Sequence, residues 1–534
     1  MSLTNILKSL GFGARTAKPA TRRLALESLE QRWVPATLKV GAGQTYGTIQ
    51  AALAAAVDGD TVAVFPGTYT VGSAAAPGGL KITQSNLKLQ AHGADVKIVA
   101  DAALANDALI DVTGTNDKID DFTIDGNGNQ SGTIDAAVEI FGGGSATVSD
   151  NTIRGLFNAS ITGSAANRVG TGVRVGDNTR AVGVKVGTAT VLDNDIETYH
   201  KAGVTVDAAG SFATVTGNTI TGVGAGKATT QQYGVAVING AGARITDNEI
   251  DRNTFNGDPR AAGVIVSNTS AKVTIADNGF TGDQDGVILS QTSNAVVRDN
   301  DIIRGAADGI LLLNSDNNTV RDNDLDRNGN DRPAGSGPGG GIALFDSSNN
   351  KIWYNDVQGS NQDALYIDGS NDGTNFTVSD SVGNDVRGNE FEGASYGNGV
   401  YLFYAADTTL TGNTIRDNSM NGILVQGGGG NTIRSSEIVR NGLDGVRFQK
   451  TDNNHLTHST VASNGRYGVG VVNSTDTTID YNTITRNVSS TIFIDSKSTG
   501  TQTAHNSTSS AERDHDDHGD DHDHGDHDSG KDDR

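Results

Sequence analysis

Between Asp308 and Asn330 the chain reads DGILLLNSDNNTVRDNDLDRNGN, where short apolar runs (Ile310 to Leu313, Thr319-Val320, Leu325) are cut apart by Asn, Asp and Gly. Sheets usually exclude those residues. Each run therefore predicts a short strand ended by a tight turn. The pattern recurs. Asn-x-apolar triplets fall at Asn151, Asn194, Asn218, Asn248, Asn278, Asn300, Asn323, Asn355, Asn389, Asn413 and Asn482, with Ser436 and Ser459 in equivalent places. From Asn389 onward the steps are 24, 23, 23 and 23 residues, and wider steps carry Gly-rich insertions such as RPAGSGPGGG.

A unit of 23 residues is too short for a four-stranded blade. Three short strands and three turns per unit, stacked in parallel on the next, predict an all-β solenoid: a right-handed single-stranded parallel β-helix. At about 4.8 Å per coil the rod is roughly 60 to 80 Å long. Asparagine tolerates the left-handed backbone of a tight corner, and its amide can bond the identical amide one coil away. The anchors therefore read as architecture. An N-terminal helix near residues 48 to 57, with Ile49, Ala52, Leu53, Ala56 and Val57 on one face, is expected to cap the first coil before a strand from Thr61 to Phe65.

Period-two alternation assigns faces to the strand after each DG or NG. Val287/Leu289, Ile310/Leu312, Ile342/Leu344, Leu365/Ile367, Val400/Leu402, Ile423/Val425, Val446/Phe448 and Val469/Val471 point inward. The outward columns place Phe345, Tyr366, Tyr401 and Phe403 on successive coils, an apolar patch of the kind that marks a contact surface. It reads either as an open sugar-stacking platform or as ground covered by an insertion. Carboxylates stand at the strand entrances (Asp285, Asp308, Asp363, Asp444), with Asp368 facing outward. A glycosidase pair among Asp308, Asp363 and Asp368 would depend on their separation. Arg252 and Arg260 read as surface-turn residues.

Composition narrows the partners. Seventy glycines, seven prolines and no cysteine fit many tight turns and leave neither disulfides nor thiolate metal sites. The net charge of -23 argues against nucleic acid and anionic membranes, and no apolar stretch is long enough to span a bilayer. The charge is uneven: residues 1–37 form a basic leader of +4, and residues 511–534 carry -8. This divides the chain into a leader (1–37), a β-helix (38–505) and an Asp/His-rich tail (506–534) that lacks the apolar residues to fold by burial. His515, His518, His522, His524 and His527 in that tail are the candidate ligands for Zn, Cu or Ni. The oxygen-rich loop DGNGNQSG (Asp125, Asn127, Asn129) offers oxygen ligands of the kind Ca²⁺ takes, but it lacks the Gly and Glu of an EF-hand and reads as a turn.

Two resemblances add to this. LESLEQRWVPA, in the leader, resembles a short motif that precedes large exported bacterial proteins, which implies a secreted or cell-surface location. TIQAALAAAVDGDTVAVFPGTYT resembles the entry segment of the pectin-lyase-like superfamily, and the DGVxLxxSxxNxVxxNxI units are similar to the repeats of that superfamily and of NosD-like periplasmic proteins. The resemblance spans about residues 40 to 500 and implies the β-helix fold. It also implies function on an outer sheet face: binding of polysaccharide or another surface component, polysaccharide processing by a lyase, hydrolase or epimerase, metal handling, or a structural role. NQDALY (361 to 366) resembles the QDTLY signature of pectin methylesterases. That likeness gives Asp363 the acid/base role and puts Asn398 where a nucleophilic Asp should stand. Asparagine cannot attack as a carboxylate does, so such an esterase is disfavoured and Asn398 is read as a sugar-binding residue with the aromatic row.

Overall fold

The computed structural model describes residues 34–510, except 75–77, 162–168, 180–182, 184, 256–259, 330–339 and 371–379. The chain divides into two units, Met1–Ala36 and Thr37–Arg534. Most of the leader and the five tail histidines lie outside the described residues.

The described strands form three sheets of 18, 16 and 17 strands. One coil illustrates the path: Asp285–Thr292 in the second sheet, Val296–Arg298 in the first, Asp301–Ile303 in the third, then Ile310–Leu313 back in the second. Ile310–Leu313 pairs in parallel with Asp285–Thr292, setting Ile310 beside Val287 and Leu312 beside Leu289. All the predicted inward residues line the bore and are buried. The repeat thus becomes a parallel β-helix with three strands per coil.

The corners show how the sequence turns. At the corner between the first and third sheets the left-handed residue is the one before the anchor: Asp299, Asp322 and Tyr354 each have φ of 54°. The anchors themselves point inward. Asn300 donates from its backbone N–H and its amide to Asn323 Oδ1 at 3.1 and 2.9 Å, and Asn323 does the same to Asn355 Oδ1. The predicted ladder is present, but its strain sits one residue earlier than expected, because an inward side chain needs an ordinary φ. The other corners use the same device, as at Asn317-Asn318 and Arg327-Asn328.

A helix, α1 (Ile49–Ala55), packs against Thr37–Val40, Thr61–Val64 and Leu80–Ile82 near the N-terminal end. Thr48 caps it by accepting from the Ala51 N–H at 3.2 Å. Ile49, Ala52, Leu53 and Ala56 are buried, whereas Val57, expected on the same face, lies beyond the helix and is 39% exposed.

Candidate functional site

The outer face of the second sheet carries one in-register column from end to end. It begins Lys81, Asp111, Glu139, Arg174, Thr205, and continues Ala236, Ile265, Ile288, Leu311, Ala343, Tyr366, Tyr401, Leu424 and Arg447. The column is ionic at its start, apolar in the middle and aromatic beyond.

The aromatic row exists as touching rings. Centroids lie 5.5 Å apart for Phe345 and Tyr366, 5.3 Å for Tyr366 and Tyr401, and 5.7 Å for Tyr401 and Phe403. Its exposure is uneven. Tyr366 is 4% exposed, and Leu311 and Ala343 are 1% exposed although they point away from the bore. The open platform is therefore corrected at Tyr366: that ring is buried, while Phe345, Tyr401 and Phe403 are half-buried. Burial, and then the neighbouring Asp368, push the Tyr366 phenol far above its ordinary range. Its hydroxyl donates to Asp368 Oδ2 at 2.8 Å. Tyr401, raised by burial first, donates to Gln426 Oε1 at 3.1 Å.

The candidate carboxylates are set apart. Asp308 and Asp363 belong to one strand-entrance column but are two coils apart, about 10 Å at strand spacing. Asp368 stands at the far end of the Asp363 strand, about 16 Å along it. Each is bound into the scaffold. Asp308 accepts from Gly340 N–H at 3.0 Å and from the Arg260 guanidinium at 2.7 Å. Arg260, expected as a surface-turn residue, thus ties Asp308 to Asp285, 3.1 Å from its Nε. Asp363 Oδ1 accepts from the backbone and side-chain amides of Asn398 at 2.6 and 2.8 Å. Burial raises Asp363 to about 6 against those two bonds. Asn398 in turn accepts from Asn421, whose Oδ1 accepts from the Asp444 N–H. Asp363 and Asn398 are thus rungs of another corner ladder. In the oxygen-rich loop, Asp125 Oδ1 accepts from Asn127 N–H and Asn129 Oδ1 from Ile134 N–H, so those oxygens build the turn.

The sequence reading missed the ionic start of the column. A cleft of about 730 Å³ opens there, lined by Lys81, Asp107, Asp111, Asp135, Phe141, Asp177 and a set of threonines. The Lys81 ammonium bonds both oxygens of Asp107, at 2.9 and 2.8 Å, and also Asp111. Burial dominates at Asp111, which is 4% exposed, and lifts it to about 7 despite Lys81. At Asp107 burial is outweighed by bonds from Lys81 and the Gly79 N–H, which hold that carboxyl below its usual value. The first two of these coils, those of Lys81 and Asp111, lack the repeating Asn anchor. The usable signal was alternation alone: Lys-Ile, Asp-Val, Glu-Ile and Arg-Val pairs at 81, 111, 139 and 174, each with its charge outward.

A family model described as "Right handed beta helix region" matches residues 108–280 and 378–515, together more than half of the chain. A model for a periplasmic copper-binding protein (NosD) matches residues 223–373. Among the described residues, no group of three or more His, Asp or Glu side chains is placed to hold a metal ion. No curated protein matches the chain. Among solved structures it resembles the periplasmic alginate epimerase AlgG (16% identity, 68% of this chain and 77% of that one, TM-score 0.40). It also resembles the Dettilon tailspike protein (14%, 73% and 63%, 0.39) and the Agl-KA catalytic domain (13%, 93% and 70%, 0.36). Matched over more than half its length, and built as a solenoid of three parallel sheets, the chain belongs to the right-handed β-helix family.

Proposed function

We propose that this β-helix works outside the cytoplasm and binds a polysaccharide or another glycan-bearing surface component along the outer face of its second sheet. The observation that carries this reading is the row of half-buried rings, Phe345, Tyr401 and Phe403, continued by the half-buried Gln426, Arg447 and Gln449. Rings offer flat apolar faces to the C–H face of a sugar, and amides and a guanidinium bond its hydroxyls. Strands about 4.8 Å apart set these groups at a repeat that suits an extended ligand. Asp368, which already accepts from Tyr366, fixes the edge of the row. The export-type leader agrees with this location.

The test is retention on a panel of immobilised polysaccharides. Tyr401→Ala with Phe403→Ala should abolish retention on the best polysaccharide and leave the melting temperature nearly unchanged. Tyr366→Ala is the contrasting control: a buried aromatic truncated to Ala costs about 3 to 5 kcal/mol. Retention undiminished in the Tyr401/Phe403 variant would remove the row as the binding surface.

A further inference from the structure

The cleft at the ionic end of the second sheet is remote from the aromatic row. Asp111 and Tyr401 stand ten strands apart in one column, about 48 Å at strand spacing. Its volume of about 730 Å³ is within the range of small-ligand sites. Its described lining is that of a sugar site. Phe141 offers a ring, Thr83, Thr113, Thr133, Thr179 and Asn106 offer hydroxyls and an amide, and Lys81, Asp107 and Asp111 form the charged centre.

The charges at its centre are incompletely matched. Lys81 is shared between Asp107 and Asp111, so one ammonium serves two carboxyls. Asp107 is also satisfied by Gly79 N–H at 3.0 Å and Ala108 N–H at 3.1 Å. Asp111 has no such support: it is 4% exposed, it lines the cleft, and its Oδ1 has no hydrogen-bond partner. A buried carboxyl oxygen without a donor is costly. Next in the column come Glu139 and Arg174, and Asp135 and Asp177 also stand on the lining, each with interactions of its own.

We propose that this cleft is a second glycan site, independent of the aromatic row, that selects sugars bearing a free ammonium group, with Asp111 as the partner of the cation. An amino sugar supplies the missing positive charge and donors, together with hydroxyls for the threonines and an apolar face for Phe141. A uronate or sulfated sugar would instead bring an anion against Asp107 and Asp111, which already share one ammonium. Asp111, held near neutrality when the site is empty, must ionise to pair with the ammonium, so binding releases a proton.

The experiment is calorimetric titration of the full chain with the fully deacetylated glucosamine trisaccharide, its N-acetylated counterpart and trigalacturonate, at about pH 6 in two buffers of different ionisation enthalpy. The deacetylated sugar should bind at least about tenfold more tightly than the acetylated one, the scale of one charge-assisted hydrogen bond, and trigalacturonate should not bind. Proton release should accompany only the deacetylated sugar. Asp111→Asn should erase both the preference and the proton release, whereas Tyr401→Ala should leave them intact. Because the proton count is made on the unaltered protein, the proposal stays testable even if Asp111→Asn folds poorly. Equal affinity for the two glucosamine sugars, preference for the uronate, or tight binding without proton release would overturn it. Release of shorter sugars would replace it with a catalytic role for the cleft. Loss of polysaccharide retention in Tyr401→Ala alone concerns the aromatic row and leaves this site standing.

Discussion

At the scale of the residue, each corner divides its work between two neighbours. Asp322 takes the left-handed backbone, and Asn323 turns inward to bond with the coils on either side. Asn323 Oδ1 accepts twice from Asn300, and its amide donates to Val297 O at 3.1 Å, Arg321 O at 3.0 Å and Asn355 Oδ1 at 2.9 Å. Asn323→Ala would leave several buried groups unpaired, and the expected loss is about 3 kcal/mol in denaturant titration, well above the 1 kcal/mol or so of a single hydrogen bond. Serine keeps part of the ladder: Ser436 accepts from Asn413 N–H and donates to Arg434 O. Asn323→Ser should therefore cost about half as much. The ladder was legible because it repeats in the sequence. Which residue of each Asp-Asn pair held the positive φ was not, since both types tolerate that conformation.

At the scale of the element, the DG and NG steps owe their glycine to crowding. A Cβ on Gly422 would lie 2.5 Å from Ile438 Cγ2 and 2.7 Å from Gly445 O, and Gly309 and Gly445 are confined in the same way. None of the three has a positive φ, so the constraint is contact with the apolar side chain across the bore and with the carbonyl of the next coil, not backbone strain. Gly422→Ala should lower stability by about 1 to 3 kcal/mol, the usual range for overpacking, measured as a shift in unfolding midpoint with unchanged cooperativity. Inward and outward faces could be read wherever this glycine marks the strand start, from Gly286 onward. Burial of the outward face could not. Leu311 and Tyr366 obey the predicted alternation yet are covered, because neighbouring coils set apolar side chains beside them. Ile288 and Ala343 cluster with Leu311, and the Phe345 and Tyr401 rings lie on either side of Tyr366. The strand's own period does not specify these neighbours. At the other end the marker fails: Leu80–Ile82 and Ile110–Val112 follow no DG, and the ionic cleft they carry stayed hidden.

At the scale of the whole molecule, charge decides two outcomes. The tail from 511 to 534 brings five histidines among ten aspartates, while the described coils place no cluster for a metal. Removing the tail should abolish most uptake of Zn²⁺ or Cu²⁺ and leave the melting temperature unchanged. Undiminished uptake would move the metal site into the β-helix.

The second outcome is the dependence of stability on pH. Burial raises Asp111 to about 7, and Asp117 and Asp363 to about 6. On the third sheet Asp301, Asp324, Asp356 and Glu390 stand in register on successive strands, and burial followed by these like charges raises Asp324 and Asp356 too. A carboxyl whose folded value lies above its unfolded value of about 4 takes up its proton first in the folded state. The stability it contributes is complete below the unfolded value and is lost as pH rises through the folded one. Buried His200 acts in the opposite sense: burial lowers it to about 4, so its contribution is present above its unfolded value of 6.5 and is lost as pH falls towards 4. Three strongly raised carboxyls outweigh one histidine between about pH 7.5 and 5, and the melting temperature should rise as pH falls across that window. Below about pH 4 the trend should reverse, as His200 charges and the lowered carboxyls Asp107, Asp120 and Asp480 lose their partners. Scanning calorimetry across pH checks the sign, and the rise should flatten in a variant carrying Asp111→Asn, Asp117→Asn and Asp363→Asn. A melting temperature that instead fell steadily from pH 7.5 to 5 would mean that these carboxyls remain ionised within the fold, which would also remove the proton release required of the amino-sugar cleft.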